Sequence, residues 1–341
     1  MPARPTPRAV STSRREFLAL LGAAGLLAGC AGTGAAPAAA PATEPATREF
    51  THAFGTSSIP AAPQRIVTTT DQNALLPLLE LGVTPVGSAG LVAEDGTRTF
   101  RRTEGFDTAG IEFVGAYGEP NAEAIAALGP DLIVGYEFDE DFAAVLDRIA
   151  PFVGVQVFGR RLADALMDFA DLTGRTDVAA GLRDAYDARV AALRAELGRR
   201  HPGLTVSLLT TYEPGLFGFA DNGQAIGTVA HDLDLGRPAA QSGVDRLGET
   251  TAEDVSLELL GEHDADVVLV VDFSGDDGDT TTRDLVSQPV WQQLSAARNG
   301  QLHVIDGSLT VGAAWARMGA FLDVLERHLL ADGLVVNGTN A

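Results

Sequence analysis

One unit of sequence occurs twice in this chain, and it limits the possible folds more than any other feature. The first copy runs from Asn121 to Val134 and the second from Ser256 to Leu269. Each copy reads as a capping residue, a glutamate two positions later, a short apolar helix and a buried strand. The step from the glutamate to the aspartate before the strand is eight residues in both copies. Two such units, about 135 positions apart, predict two similar α/β lobes.

The residues inside the unit have clear local roles. Asn121 and Ser256 are expected to cap their helices by accepting hydrogen bonds from amides that lack a helical partner. Glu123 and Glu258 then lie in the first helical turn, where a negative charge suits the helix dipole. This dipole effect is by itself a sufficient explanation for each glutamate, so a further role depends on other evidence.

A long helix pattern separates the two copies. Asp177 to Arg199 carries apolar residues at steps of three and four, and about 23 helical residues span about 35 Å. The segment alone would also fit an ordinary long helix. Its place between the copies predicts a rigid bridge at 175–201, with an N-terminal lobe at 49–174 and a C-terminal lobe at 202–341.

Strand and helix patterns alternate within both lobes, which predicts parallel sheets. The segment 89–107 is polar and is predicted to be a surface loop. The expected strands are 65–68, 83–87, 132–134, 153–157, 205–210, 267–270 and 301–305. The expected helices outside the repeated unit and the bridge are 71–81, 141–149, 164–172, 227–235, 289–294 and 313–330.

The first thirty residues carry an export signal. Ser13-Arg-Arg-Glu-Phe-Leu18 matches the twin-arginine pattern, an apolar stretch follows it, and Leu27-Ala-Gly-Cys30 matches a lipoprotein cleavage box. The alternative is an ordinary hydrophobic N-terminus with a chance pair of arginines. We predict a signal peptide at 1–29, lipidation of Cys30 and an Ala-, Pro- and Thr-rich tether at 30–48. The protein is then expected outside the cytoplasmic membrane, held by its lipid.

The charge excludes some partners. The sequence contains no Lys, all 24 basic residues are Arg, and the net charge is −22. Removal of residues 1–29 takes away four Arg and one Glu, which leaves −25. A chain this acidic is not expected to bind nucleic acid.

No catalytic pattern is present in the sequence. There is no Gly-x-Ser-x-Gly, and a phosphate-binding loop with its lysine is impossible without Lys. The six His are scattered, at 52, 201, 231, 263, 303 and 328, without a second His at ligand spacing. We therefore predict a protein that is not an enzyme, without a catalytic residue, a cofactor or a resident metal site.

The order of several short motifs resembles the substrate-binding lipoproteins of iron–siderophore ABC importers, the ferrichrome- and cobalamin-type binding proteins. The resemblance covers residues 50 to 330. It rests on Arg65-Ile-Val67, Leu81-Gly-Val-Thr-Pro-Val-Gly87, Gly118-Glu-Pro-Asn-Ala-Glu123, Pro130-Asp-Leu-Ile-Val134, Leu172-Thr-Gly-Arg175, Ser256-Leu-Glu258, Pro289-Val-Trp291 and Gly300 to Asp306. It implies a class III periplasmic binding protein-like fold, with two Rossmann-like lobes joined by one long α-helix and a ligand held between them with little hinge closure.

The resemblance also implies roles for particular residues. Glu123 and Glu258 match the two glutamates that dock onto the permease dimer of the importer, which works with an ATPase, and the binding protein is expected to be a monomer. The expected ligand contacts lie at strand ends or before the last helix: Tyr117, Tyr136, Tyr212, Trp315 and Arg317. Relatives that bind hydroxamates often carry Arg where this chain has Tyr117. The arginines 101, 102, 160 and 161 lie in loops that could fold over the cleft.

The implied ligand is a ferric siderophore, and the residues favour a hydroxamate. Catecholate complexes carry about three negative charges, and an anion in a dry cleft needs local cations. The expected contacts offer aromatic rings and chiefly Arg317, and rings can stack on a neutral or cationic complex. The alternatives are a corrinoid or haem ligand on the same fold, or a sensor or structural lipoprotein.

Overall fold

The first half of the body is built on one mixed sheet. The computed structural model describes residues 46–211, 217–219, 224–241, 255–272 and 281–337. The strands that precede the long helix in the chain are β1 (Thr47–His52), β2 (Gly55–Pro60), β3 (Ile66–Thr68), β4 (Gly87–Val92), β5 (Arg98–Thr99), β6 (Glu112–Ala116), β7 (Glu119–Pro120), β8 (Leu132–Tyr136) and β9 (Phe152–Val155). The sheet order is β7-β6-β4-β3-β8-β9, with β5 beside β4. Strands β6, β4, β3, β8 and β9 are parallel, as predicted.

Helices cover this sheet on its two faces. A π-helical turn at Asp71–Leu75 leads into α1 (Leu76–Glu80), and α2 (Ala122–Ala127), α3 (Glu140–Leu146) and α4 (Leu162–Thr173) follow. Gly174 ends α4 in the left-handed conformation, with φ 66°, which a residue with a side chain rarely adopts. The described strands β3, β8 and β9 are buried throughout, as the apolar runs predicted.

The long helix and the second sheet complete the fold. Helix α5 (Thr176–Arg200) has 25 residues, or about 37 Å. The later elements are β10 (Val206–Thr211), β11 (Phe217–Phe219), α6 (Ala225–Asp232), β12 (Val267–Asp272), α7 (Thr281–Val286), α8 (Ser295–Arg298), β13 (Leu302–Asp306) and α9 (Trp315–Leu329). The second sheet has the order β11-β10-β12-β13, and its β10, β12 and β13 are parallel. The predicted fold class is confirmed.

The repeated unit is present in both lobes, but only its first copy forms an α-helix. Asn121 caps α2 by accepting a hydrogen bond from the Ala124 amide at 3.0 Å. In the second copy, turns at 257–259 and a 3₁₀ helix at Leu260–His263 replace the predicted α-helix. The expectation that Ser256 caps a helix there is therefore wrong. A short helix gains little from its own hydrogen bonds, so the packing of each lobe selects its form.

The aspartate of the unit has the same role in both copies. The Asp131 carboxylate accepts hydrogen bonds from the amides of Gln64 at 2.7 Å and Arg65 at 2.9 Å, at the start of β3. The Asp266 carboxylate accepts one from the Thr205 amide at 2.8 Å, at the start of β10. Each aspartate thus fastens its own strand to the neighbouring parallel strand.

Some strands differ from the prediction. The predicted strand at 83–87 is a connection, and β4 begins at Gly87. The predicted loop at 89–107 contains most of β4 and all of β5. The predicted helix at 289–294 is a 3₁₀ turn at Trp291–Gln293 followed by α8. The two strand segments, at 83–87 and 89–107, contain small or polar residues. Their pairing depends on neighbouring strands that local patterns do not show.

A hairpin at the start of the body was not predicted. Strands β1 and β2 pair antiparallel, and β1 begins at Thr47, inside the last residues of the predicted tether. Phe50 and Ile59 reach the core from the two strands. Phe54 in the turn between them stacks on Phe152 of β9, with ring centroids 5.8 Å apart. One buried side chain per strand is too weak a pattern to predict a strand from sequence.

Candidate ligand-binding site

Four aromatic side chains meet where the strands of the first sheet end. Tyr136 is the last residue of β8, Tyr117 follows β6 directly, and Phe158 lies three residues after β9. Phe138 lies two residues beyond β8. Ligands of open parallel sheets bind at this carboxyl edge of the strands. We call these four residues the aromatic wall.

The aromatic wall is joined through its hydroxyls and its rings. The hydroxyls of Tyr117 and Tyr136 are 2.6 Å apart. The ring of Phe138 lies 5.4 Å from that of Tyr136 and 5.3 Å from that of Phe158, measured between centroids. Phe138 is 56% exposed and Tyr117 45%, whereas Tyr136 is 4% exposed. The wall therefore presents apolar ring surface and is anchored by a buried tyrosine.

An arginine covers the outer tyrosine, and its charge is already paired. The guanidinium of Arg101 lies 4.9 Å from the centroid of the Tyr117 ring. The same group donates to both carboxylate oxygens of Asp71, at 3.0 and 2.7 Å, and the Arg101 amide donates at 2.8 Å. Asp71 is fully buried. Its carboxylate holds the Arg101 side chain in place and neutralises the positive charge next to the wall.

Two further carboxylates lie beneath the wall. Asp139 accepts hydrogen bonds from the Thr69 hydroxyl and the Tyr136 amide, and Glu137 accepts from the amides at 157 and 158. Burial raises the pKa of both carboxyl groups. Burial, the Tyr117 hydroxyl and these two carboxylates raise the pKa of Tyr136 far above its usual range. Three carboxyl groups, those of Asp71, Glu137 and Asp139, therefore lie close to the wall.

A glycine makes this arrangement possible. A side chain at Gly135 of β8 would overlap the Asp139 carboxylate and the Thr69 hydroxyl. Without a side chain at that position, Asp139 reaches across the strand end and holds the backbone of Tyr136. The burial and position of Tyr136 thus depend on the residue before it.

Arg317 meets a loop of the first lobe. Its Nη2 donates to the Arg102 carbonyl at 2.6 Å, and the guanidinium lies 3.7 Å from the Glu104 carboxylate. Arg102 has φ 62°, in the left-handed region. Burial, more than the nearby Arg102 charge, lowers the pKa of Arg317. In this arrangement Arg317 connects α9 with the loop that also carries Arg101.

Trp315 packs in the core. The side chain is 5% exposed, and its ring lies 5.8 Å from that of Tyr186 on α5. The amides of Trp315 and Ala316 donate to the Glu80 carboxylate at 2.7 and 2.8 Å, so a first-lobe glutamate caps α9. Gly312 permits this approach, because a side chain there would stand 2.8 Å from Leu76. The structure does not bring Trp315 to the aromatic wall.

The other loop arginines are paired away from the wall. Arg160 contacts the Asp168 carboxylate at 2.7 Å, and Arg161 contacts both oxygens of Asp232 at 2.8 Å. The hydrogen bond with Asp232 raises the pKa of Arg161. Asp232 is at the end of α6, so Arg161 ties the start of α4 to the second lobe.

The remaining predicted residues are on the surface or outside the described part. Glu123 lies exposed in the first turn of α2, and Glu258 lies exposed in the turn at 257–259. Tyr212 and Cys30 lie outside the described residues. Sequence reasoning missed Phe138, Glu80 and the pairing of Asp71 with Arg101. Phe138 carried the same signal as Tyr136, an aromatic residue at a strand end.

The described residues contain no group of three or more His, Cys, Asp or Glu that could hold a metal ion. In the same part of the chain, every helix is too short or too polar to cross a membrane.

Comparison with known proteins places the chain among binding proteins. The sequence profile described as "Periplasmic binding protein" matches residues 66–309. The chain is 30% identical over 280 residues to the achromobactin-binding periplasmic protein of Dickeya dadantii, covering 76% of this chain and 82% of the relative. It is 28% identical over 288 residues to the probable siderophore-binding lipoprotein YfiY of Bacillus subtilis, covering 82% and 86%.

A solved structure shares the fold. SirA of Staphylococcus aureus, in complex with staphyloferrin B, matches with a TM-score of 0.69 and 26% identity. The match covers 84% of this chain and 100% of that chain.

Proposed function

Since this chain belongs to the periplasmic binding protein family, we propose that it captures a ferric siderophore between its lobes and delivers it to an ABC importer. The observation that carries this proposal is the aromatic wall at the carboxyl edge of the first sheet. Exposed rings at this edge suit a ligand that is large and partly apolar. Achromobactin and staphyloferrin B are named as ligands of the relatives, so a siderophore is the ligand class with the best support.

The charges around the aromatic wall support a hydroxamate complex, neutral or cationic. Asp71, Glu137 and Asp139 lie at or beneath the wall, and Asp71 already pairs with Arg101. A complex with several negative charges would meet these carboxyl groups, and in the described part of the chain the arginine beside the wall is already paired. A neutral or cationic complex stacks on the rings without that cost.

Delivery is proposed to use the two exposed glutamates. Glu123 and Glu258 lie at equivalent positions of the repeated unit, one in each lobe, and no ion pair with either is present among the described residues. Two free carboxylates can engage cationic groups of a two-fold symmetric permease. We further propose that the protein works as a monomer anchored by a lipid on Cys30, outside the cytoplasmic membrane. We also propose the domain division predicted from the sequence, with the tether ending before β1 begins at Thr47.

A corrinoid or haem remains the alternative ligand, because an aromatic wall can also stack on a flat macrocycle. The test is quenching of tryptophan fluorescence in residues 31–341 on titration with ferrioxamine B, ferric staphyloferrin B, ferric enterobactin, haem and cobalamin. Tightest binding to a ferric siderophore supports the proposal. Tightest binding to haem or cobalamin overturns it.

The aromatic wall is tested by replacing Phe138 with Ala. Phe138 is 56% exposed, so the substitution should leave the melting temperature nearly unchanged. It should weaken siderophore binding by up to about tenfold, because one stacked ring contributes about 1 kcal/mol. Val145→Ala is the matched control, since Val145 is 47% exposed and belongs to α3. Equal siderophore affinity of the two variants would show that the aromatic wall is not part of the binding site.

A further inference from the structure

The two tyrosine hydroxyls of the aromatic wall are spaced like neighbouring ligands of one metal ion. The Oη atoms of Tyr117 and Tyr136 are 2.6 Å apart. In octahedral coordination with bonds of about 2.0 Å, neighbouring oxygens are about 2.8 Å apart. The pair could therefore occupy two adjacent positions on an ion with only a small movement of either ring.

Phenolate oxygen is a suitable ligand for ferric iron. Fe(III) is a hard cation that prefers anionic oxygen donors, and a tyrosine serves as its protein ligand in catalase. In the resting protein the two hydroxyls bond to one another. Among the described side chains, each of the two hydroxyls is hydrogen-bonded to the other. Exchange of this bond for bonds to iron therefore leaves no buried polar group without a partner.

The surroundings favour a cation at this position. The Asp139 carboxylate accepts a hydrogen bond from the Tyr136 amide at 3.1 Å, and Glu137 directly follows Tyr136 in the chain. Arg101 is the positive group at the Tyr117 ring, and the buried Asp71 carboxylate offsets its charge at 2.7 Å. The carboxylates of Glu137 and Asp139 therefore attract a trivalent ion to this place.

The outer tyrosine can move to admit an ion. Tyr117 is 45% exposed, and its described ring contact is the Arg101 guanidinium. Tyr117 and Gly118, which has φ 78°, form the tight turn between β6 and β7 at the edge of the sheet. A small shift of Tyr117 therefore opens the bond between the two hydroxyls and admits the ion between them.

We propose that Tyr117 and Tyr136 coordinate the ferric ion of the bound complex directly, each replacing one water. In this step two Fe–OH₂ bonds break, two Fe–O(Tyr) bonds form, and each phenol releases its proton to solvent. The iron stays ferric and no electron is transferred. The inference rests on the proposed function, and it narrows the ligand class to complexes in which the chelator fills four of the six positions on iron.

This inference separates two kinds of hydroxamate. A chelator with three hydroxamate groups fills all six positions and leaves none for tyrosine. A chelator with two such groups leaves two positions to water, which the tyrosines can take. The protein should accordingly prefer the second kind, and it should also accept simple iron chelates that leave two positions open.

The experiment uses the visible absorption of iron bound to tyrosinate. Residues 31–341 are mixed with ferric nitrilotriacetate, with the one-to-one ferric complex of rhodotorulic acid, and with ferrioxamine B. A new tyrosinate-to-iron charge-transfer band is expected with the first two complexes and not with the third. Tyr136→Phe and Tyr117→Phe should each reduce the band and weaken binding of the first two by about tenfold or more.

The control is Phe138→Leu, which alters the same wall without removing an oxygen, and which should keep the band. No band with either open complex, together with binding of ferrioxamine B, would overturn the inference and leave the proposed function intact. A band that persists in both tyrosine variants would also overturn it, because another group then holds the iron. Failure to bind any of the three complexes would count against the proposed function itself.

Discussion

The hydroxyl of Tyr186, in the middle of α5, donates a hydrogen bond to the Asp232 carboxylate at the end of α6, at 2.9 Å. The same carboxylate accepts both hydrogen bonds of the Arg161 guanidinium, at 2.8 Å each. Three segments are thereby joined around one buried aspartate: the start of α4, the long helix and the second lobe. This junction and the Glu80 cap on α9 both join first-lobe residues to elements that follow α5.

Asp232→Asn should destabilise the fold strongly. The Asp232 side chain is 6% exposed and that of Arg161 29%, so the substitution leaves a partly buried guanidinium without its counter-charge. Loss of one partner of such a pair costs about 3 kcal/mol, or roughly 5 °C or more in Tm. Asp168→Asn is the control, because the Arg160–Asp168 pair is 31% and 39% exposed and is expected to contribute less than about 1 kcal/mol. Equal Tm values for the two variants, by calorimetry, would contradict the prediction.

Simultaneous replacement of Glu123 and Glu258 by Ala should stop uptake of the ferric ligand and leave its affinity for the purified protein unchanged. Each single substitution should have a milder effect, because the other lobe still engages the permease. The matched control is Glu140→Ala with Glu262→Ala, since both are exposed acids in the first turn of a helix, one in each lobe. Uptake of labelled iron by cells measures the effect. A similar loss in the control would show that surface charge alone is responsible.

The purified protein should bind a ferric hydroxamate more tightly than a ferric catecholate. The negative potential of Glu137 and Asp139, with Arg101 already paired, opposes a complex that carries about three negative charges. Titration with ferric enterobactin against the one-to-one ferric rhodotorulic acid complex measures the preference. Weakening of catecholate binding at low salt relative to high salt would support the electrostatic cause. Tightest binding to the catecholate would refute the prediction.

Export and anchoring should depend on three residues of the N-terminus. Replacement of Arg14 and Arg15 by Lys should leave the precursor inside the cell, because the twin-arginine pathway reads the arginines themselves. Cys30→Ala should prevent lipidation and either release the mature protein or block its processing. Cell fractionation with immunoblotting distinguishes these outcomes. A Cys30→Ala protein that is processed normally and stays on the membrane would show that lipidation is not the anchor.

Stability should fall as the pH drops below about 6.5, the ordinary His value. The rings of His303 on β13 and His328 on α9 are 4.2 Å apart, and burial lowers the pKa of both. The unfolded chain therefore binds more protons than the folded protein below that pH, and acid favours unfolding. Burial raises the pKa of Glu80 and Asp139, which acts in the opposite direction, so the test compares variants. His328→Gln should show a smaller fall in Tm between about pH 7.5 and pH 5.5 than the unsubstituted protein.

Much of the fold could be predicted from local patterns. The apolar runs at 132–134 and 267–270 were sufficient to place β8 and β12, because strands covered on both faces carry uninterrupted apolar residues. The steps of three and four along α5 placed that helix to within one residue at each end. The second copy of the repeated unit was less predictable, since a helix of one or two turns depends on the packing around it.

The candidate site was only partly predictable. Tyr117 and Tyr136 were expected at strand ends, and the structure joins their hydroxyls at 2.6 Å. Sequence reasoning could not pair Arg101 with Asp71, nor Glu80 with the start of α9, because those residues are 30 and 235 positions apart. The same limit applies to Trp315, whose place at the start of α9 did not reveal its packing on Tyr186.

The sequence by itself determined the class of protein through the two α/β units, the long helix between them and the aromatic residues at strand ends. These features follow from local rules of capping, periodicity and charge, which act over a few neighbouring residues. Only the tertiary structure decided which charges remain available at the site. Asp71 holds Arg101, Asp232 holds Arg161, and the loop at 102–104 meets Arg317. Such pairings depend on the folding of distant segments into contact, where burial makes an unpaired charge too costly to leave.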